Sequence, residues 1–192
     1  MLVGLDEAGR GPLAGPVCAA AVILGPDFPV AILDDSKKLS AQKRDAAMTL
    51  IYGKALAWGI GWASAAEIDA HNILKASLLA MKRAYEDMAG RRTKNSAEGL
   101  EAVIDGLYVP EIPIPSRAVV RADAKYPEVM AASILAKTAR DRMMARYAWI
   151  YPEYGYEKHK GYPTREHCAL VMRYGPSPIQ RLSFTVKEPA AK

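Results

Sequence analysis

Leu2-Val3-Gly4-Leu5-Asp6-Glu7, Ala102-Val103-Ile104-Asp105-Gly106 and Val119-Val120-Arg121-Ala122-Asp123 are three short, largely apolar stretches that each stop on a carboxylate. Laid side by side as strands of one sheet, they gather several acids around a single point. Clustered carboxylates repel one another, and near neutral pH divalent cations between them relieve that repulsion. The pattern predicts a metal-dependent site at the strand ends. Asp6 and Glu7 are neighbours, and successive strand residues point to opposite faces. Both can serve one metal only if the strand ends there and Glu7 lies in the turn that Ala8-Gly9-Arg10-Gly11 supplies. An acidic pair at a strand end is also a common solvated feature, and the two further acid-terminated strands argue against that reading here.

Working outward, Val17 to Leu24 reads as a buried strand that forms an antiparallel hairpin with the first, across the Gly- and Pro-rich loop Ala8 to Pro16. Ser40 caps a helix through about Ile51, and Ala55 to Ala63 reads as a third strand. Ser64-Ala65-Ala66-Glu67 matches a capping box and starts a second helix. Helical spacing continues from Ile73 to Met88, and Gly90 to Glu98 reads as a surface loop. Strands at Ala102 to Asp105 and Arg117 to Ala122 flank a proline-bearing loop. A long helix over Glu128 to Tyr147 and a last one from the Thr164 cap to Tyr174 follow. This order predicts an α/β mixed sheet with helices on both faces, in one domain over residues 1–192. A helical C-terminal lobe is expected at about 140–184, and the tail, 185–192, is expected to be poorly ordered unless it docks.

The net charge is +5 but unevenly spread: residues 114–192 hold 14 Lys and Arg against 7 Asp and Glu, and residues 1–113 hold 12 against 14. Acids in front and bases behind suit a phosphate-backbone ligand meeting a metal site; a solvated basic surface has the same composition. Two cysteines, Cys18 and Cys168, offer no disulfide framework, and the longest apolar run is far too short to span a bilayer. With acids at positions 6 and 7 no export signal is read, so a soluble protein of the cytoplasm is expected.

Gly9-Arg10-Gly11-Pro12-Leu13-Ala14-Gly15-Pro16 is not a dinucleotide fingerprint, because its third glycine comes one residue late, and it lacks the Lys-Ser/Thr ending of a P-loop. Its glycines instead let the backbone itself approach a ligand. Such a loop can read a sugar edge with its own amides and carbonyls.

The string Asp6 to Pro16, then Asp35-Ser36-Lys37-Lys38-Leu39-Ser40, His71-Asn72-Ile73-Leu74-Lys75-Ala76-Ser77 and Ile104-Asp105-Gly106 resembles bacterial type 2 ribonuclease H, the ribonuclease HII family. Ala122-Asp123-Ala124-Lys125-Tyr126, Ala131 to Lys137 and His159-Lys160-Gly161-Tyr162-Pro163-Thr164-Arg165-Glu166-His167 continue the likeness in the same order, which runs from about residue 2 to Phe184.

The resemblance implies a ribonuclease H-like fold: a five-stranded mixed sheet flanked by helices, with a helical C-terminal segment. It implies a catalytic and metal-binding quartet at Asp6, Glu7, Asp105 and Asp123, with two Mg²⁺ or Mn²⁺ ions about 4 Å apart acting on the scissile phosphate. It assigns ribonucleotide recognition to Gly9, Arg10 and Gly11, packing of the next sugar to Tyr162, and a phosphate contact to Ser36 and Lys37. The implied reaction is hydrolysis of RNA in RNA-DNA hybrids and incision 5′ to single ribonucleotides in duplex DNA, leaving 3′-hydroxyl and 5′-phosphate ends. Ribonucleotide removal and primer processing by a monomer follow as roles.

Other residues read more blandly. His71, His159 and His167 have no zinc spacing with the cysteines, and Tyr151, Tyr154 and Tyr156 read as packing rather than base stacking. Lys137, Arg140, Arg142 and Arg146 form either a basic flank for DNA or a wet helix face. Gln180 stands where many members of the resembled family carry a basic or imidazole group, which puts a DNA contact there in doubt. Strand one begins at Leu2, which leaves no room for the N-terminal domain of type 3 enzymes, and the tail shows no sliding-clamp peptide. Two rival readings are a junction resolvase indifferent to the 2′-hydroxyl and a catalytically dead hybrid-binding module.

Overall fold

The computed structural model describes residues 1–33, 39–91 and 99–186. Five strands, β1 (Leu2–Ala8), β2 (Val17–Ile23), β3 (Ala57–Ala63), β4 (Glu101–Asp105) and β5 (Ser116–Val119), form one sheet in the order β3-β2-β1-β4-β5. β1 is antiparallel to β2 and β2 to β3, while β4 runs parallel to β1 and β5 parallel to β4. The expected five-stranded mixed sheet is therefore present, with the acid-bearing β1 at its centre.

Six helices accompany the sheet among the described residues: α1 (Ala41–Lys54), α2 (Ala65–His71), α3 (Ile73–Gly90), α4 (Pro127–Ile150), α5 (Tyr156–His159) and α6 (Arg165–Tyr174). Alternation along the strands sorts them to two faces. Val3 and Leu5 of β1, Ala19 and Ala21 of β2 and Ile104 of β4 pack with α2 and α3 through Ile68, Ala80, Met81 and Met88. On the other face Cys18, Ala20 and Val22 pack with Met48 and Ile51 of α1 and with Ala131–Ala136 of α4. All of β2 is buried because both of its faces are covered. On β3, a Cβ at Gly61 would lie 2.1 Å from the Ala80 carbonyl oxygen, so α3 rests directly on the strand backbone there.

The local start signals work as read. The Ser40 hydroxyl accepts the Lys43 amide, and Ser64 and Glu67 make the reciprocal capping box. Thr164 accepts the His167 amide at the start of α6. The C-terminal segment packs Tyr154, Tyr156, Val171 and Ile179 around Met144 and Ala148 of α4, so Tyr154 and Tyr156 are packing residues. Phe184 docks on the α2–α3 side of the core, and Asp69 accepts hydrogen bonds from the Leu182 and Ser183 amides and the Ser183 hydroxyl.

One strand differs from expectation. β5 stops at Val119 rather than Ala122, because Arg121 takes a left-handed conformation (φ 57°, ψ 43°) and a 3₁₀ turn, Ala122–Ala124, follows. Asp123 therefore rides on a turn and not on a strand end.

Candidate active site

The parallel register pairs Leu5 of β1 with Ile104 of β4, so Asp6 and Asp105 come one step later on adjacent strands. The Asp105 carboxylate accepts the Ala122 amide at 2.7 Å, which ties the turn carrying Asp123 to the end of β4. Asp6, Asp105 and Asp123 consequently offer three carboxylate oxygens that all lie within 4.8 Å of one another. Asp6 is only 6% exposed. Burial, reinforced by the Glu7 and Asp105 charges, raises its carboxyl well above the ordinary range, against hydrogen bonds from the Ser133 hydroxyl of α4 and the Glu7 amide. A buried acid facing two more acids has no cationic side chain in that group, and an all-oxygen anionic donor set is what hard divalent cations take. The residues fit such ions.

Glu7 is placed differently from the other three acids. β1 continues through Ala8, so the strand does not end at the acidic pair, yet the Glu7 carboxylate feels the Asp105 charge as Asp6 does. Its carboxylate pairs with Arg10 at 3.3 Å and lies outside the 4.8 Å group, yet close enough to raise the Asp6 carboxyl. Burial raises Glu7 too, and Arg10 opposes that shift.

Beside the acids, Gly9–Pro16 forms the link from β1 to β2. Gly9 has φ +97°, and a Cβ there would meet the Arg140 Nε at 2.0 Å, so this position accepts only glycine. Two guanidiniums underlie the loop. Arg140 of α4 donates to the carbonyls of Ala14, Pro16 and Lys160, and Arg181 to those of Gly9, Arg10 and Gly15. They are 1% and 0% exposed, and neither makes an ion pair among the described residues. Burial and the nearby Arg140 charge lower Arg181 to about 9, which leaves it charged at neutral pH.

Tyr162 reaches the same place from the C-terminal segment. Its Cε1 would lie 3.7 Å from a Cβ at Gly11, and the Leu13 amide donates to the Gly161 carbonyl at 2.8 Å. The ring is 40% exposed, with the Lys137 ammonium 6.0 Å from its centroid. Behind it His159 and His167 stack at 4.3 Å, with the Gly161 amide donating to His159 Nδ1 and His167 Nδ1 bonded to the Tyr162 carbonyl. These bonds order a turn, and neither histidine belongs to the acidic cluster.

The structure thus brings Asp6, Asp105 and Asp123 together, sets Glu7 and Arg10 at their edge, and joins Gly9, Gly11 and Tyr162 in one neighbouring surface. Ser36 and Lys37 lie outside the described residues. The spacing of Arg140 suggested either a basic flank or a wet face, and it is neither. Lys137 and Arg142 on the same helix, by contrast, are ion-paired with Asp141 and Asp45. Gln180 is buried, its backbone bridged to Ala14, and its side-chain amide has no hydrogen-bond partner among the described residues. Helical spacing and position do not mark Arg140 or Arg181 as loop supports. The signal lay in the loop itself, whose many carbonyls beside two N–H-less prolines need donors from elsewhere.

The family model for ribonuclease HII matches residues 3–187. The chain belongs to the ribonuclease HII family. A ribonuclease HII of Treponema denticola is 56% identical over 97% of this chain and 99% of its own length. Among solved structures, the PCNA:RNase HII complex from Archaeoglobus fulgidus superposes with a TM-score of 0.72 at 24% identity, covering 95% of this chain and 92% of that one. Bst-RNase HIII in complex with Mn²⁺ gives 0.73 at 16% identity, covering 95% and 66%. Both likenesses bear on the fold, which is ribonuclease H-like. Family membership together with the carboxylate triad makes this protein a metal-dependent ribonuclease acting on nucleic acid. No helix among the described residues is long and apolar enough to cross a membrane.

Proposed function

We propose that the protein hydrolyses the RNA strand of RNA-DNA hybrids and incises duplex DNA on the 5′ side of single embedded ribonucleotides. The products would carry 3′-hydroxyl and 5′-phosphate ends, and the cellular roles would be cytoplasmic ribonucleotide removal and primer processing. The observation that carries this reading is the convergence of Asp6, Asp105 and Asp123 within 4.8 Å beside a loop whose backbone can approach a sugar.

Asp6, Asp105 and Asp123 would hold the divalent ions, a pair of Mg²⁺ or Mn²⁺, with Glu7 as the fourth acid. What such ions supply there is Lewis acidity toward water and the scissile phosphate. Ser133 and the Glu7 amide orient Asp6, and Asp105 fixes the Asp123 turn. Arg10 holds Glu7 at the rim. Gly9, Arg10 and Gly11 would read the 2′-hydroxyl with backbone groups, since that hydroxyl is the difference between the two sugars. Tyr162 would pack on the following sugar, where a deoxyribose leaves its ring unobstructed, and Ser36 and Lys37 would contact a backbone phosphate.

The test is to map cleavage of a DNA duplex carrying one ribonucleotide, with Mg²⁺, with Mn²⁺ and with chelator. A single cut 5′ to the ribonucleotide that needs metal supports the proposal. Equal cutting of an all-DNA duplex favours a resolvase, and binding without metal-dependent turnover favours a dead module.

A further inference from the structure

The first residues of the loop between β1 and β2 treat their two kinds of backbone group oppositely. The carbonyls of Gly9, Arg10, Ala14, Gly15 and Pro16 all accept from Arg140 or Arg181, and the Leu13 carbonyl accepts from the Arg181 amide. The amides of Gly9, Arg10 and Gly11 have no acceptor among the described residues. A trans peptide plane sets C=O of one residue against N–H of the next, so the Gly9 and Arg10 carbonyls held by Arg181 turn the Arg10 and Gly11 amides the other way. Arg181 thus leaves two consecutive amides as outward donors, and neither buried guanidinium makes an ion pair among the described residues.

We infer that Arg181, and Arg140 packed directly beneath Gly9, are positioning residues that set ribonucleotide specificity: Arg181 clamps the Gly9 and Arg10 carbonyls so that the Arg10 and Gly11 amides face an acceptor oxygen on the substrate sugar, and Arg140 holds the rest of the loop in place under them. This rests on the proposed reaction and goes further, because it moves the origin of discrimination from the exposed loop to two side chains beneath it. The fork matters as much as the charge. Arg181 reaches Gly15, Arg10 and Gly9 from three separate nitrogens at 2.9, 2.9 and 2.6 Å. A lysine presents one nitrogen and cannot span those three oxygens. Arg140 does the same for Pro16, Lys160 and Ala14, and the Lys160 bond extends the clamp to the turn that carries Tyr162.

Arg181→Lys and Arg140→Lys keep the buried charge and remove the fork. Each is compared with the wild-type protein on three duplexes of one sequence: a single ribonucleotide, a single 2′-fluoro nucleotide and all DNA. Small displacements of positioning groups cost on the order of a hundredfold in rate, so kcat/KM on the ribonucleotide duplex should fall by about that factor. The preference for 2′-hydroxyl over 2′-fluoro should shrink by about tenfold or more, since the analogue never engaged the donors fully. Affinity for the all-DNA duplex should stay within about twofold, because phosphate contacts elsewhere carry it. A purely structural arginine would scale all substrates with the folded fraction, measured by melting, and leave the preference unchanged; that result in a folded variant overturns the inference. If Arg181→Lys does not fold, Arg140→Lys decides by the same ratio. Should the wild-type protein itself show no preference for the 2′-hydroxyl, the proposed reaction fails first and the inference falls with it. A wild-type preference retained in the variants removes the inference alone.

Discussion

Replacing Asp105 with Asn should make the metal-free protein more stable. Asp105 faces Asp6 and Asp123 with oxygens within 4.8 Å, and two unit charges at that separation repel by about 3.5 kcal/mol at an effective dielectric near 20. The full figure is not available to the variant. Burial holds Asp6 toward its neutral form, and Asp105 and Asp123 are partly exposed, so screening reduces the relief to about 1–2 kcal/mol. The asparagine oxygen can still accept the Ala122 amide, so the turn carrying Asp123 keeps its anchor. For a chain of this size the gain corresponds to roughly 2–8 °C in Tm. Thermal melting in chelator and in Mg²⁺ measures both halves of the reasoning. Wild-type protein should gain about 1.4 kcal/mol at ten times the Mg²⁺ Kd, whereas the variant should respond weakly or not at all. A variant less stable than wild type in chelator, or equally stabilised by Mg²⁺, would refute the idea that these carboxylates are strained together for a cation.

Three further outcomes follow from the geometry. Glu67→Gln should cost about 1 kcal/mol at pH 7 in urea titrations, because it weakens the α2 capping box and the partly exposed Arg83 pair. Arg83, with the Ser64 amide, lowers Glu67 to about 2; its contribution is present above the unfolded value near 4.5 and lost as pH falls toward 2, so the variant's deficit should vanish in acid. Burial lowers both His159 and His167, so the unfolded chain takes up protons first and stability should fall as pH drops below about 6.5; a His167→Gln variant that melts with the wild-type pH slope over that range would contradict this. Gly61→Ala should destabilise by about 2–4 kcal/mol, since a Cβ 2.1 Å from the Ala80 carbonyl must push α3 off the sheet, and chemical denaturation reads the loss directly.

Features that depend on a few consecutive residues were legible in the chain. Ser64 and Glu67 announce a helix start because the capping box is made entirely within one turn, and Asp105 falls at the end of β4 as its apolar run implies. Asp6 belongs to the cluster as its position implies, but β1 runs two residues past it rather than ending at the acidic pair, and Glu7 pairs with Arg10 outside the 4.8 Å group. The sequence places Asp123 at a strand end because nothing in Val119-Val120-Arg121 marks the left-handed residue that bends the chain early. Arg140 shows the larger gap. Helical spacing says which residues share a face, and it cannot say that this face meets a loop 124 positions earlier whose oxygens need a cation.

α4 acts as a ruler between two operations. It supplies Ser133 to the acid that would help sever the phosphodiester and, seven residues on, Arg140 to the loop that would sense the sugar. Those two positions are about 10 Å apart along the axis and two turns in phase. The offset between the nucleotide sensed and the bond broken is then written into helical pitch. One inserted residue between them would swing one operation about 100° away from the other, so a descendant cutting one step along the strand could not arise by lengthening this helix gradually.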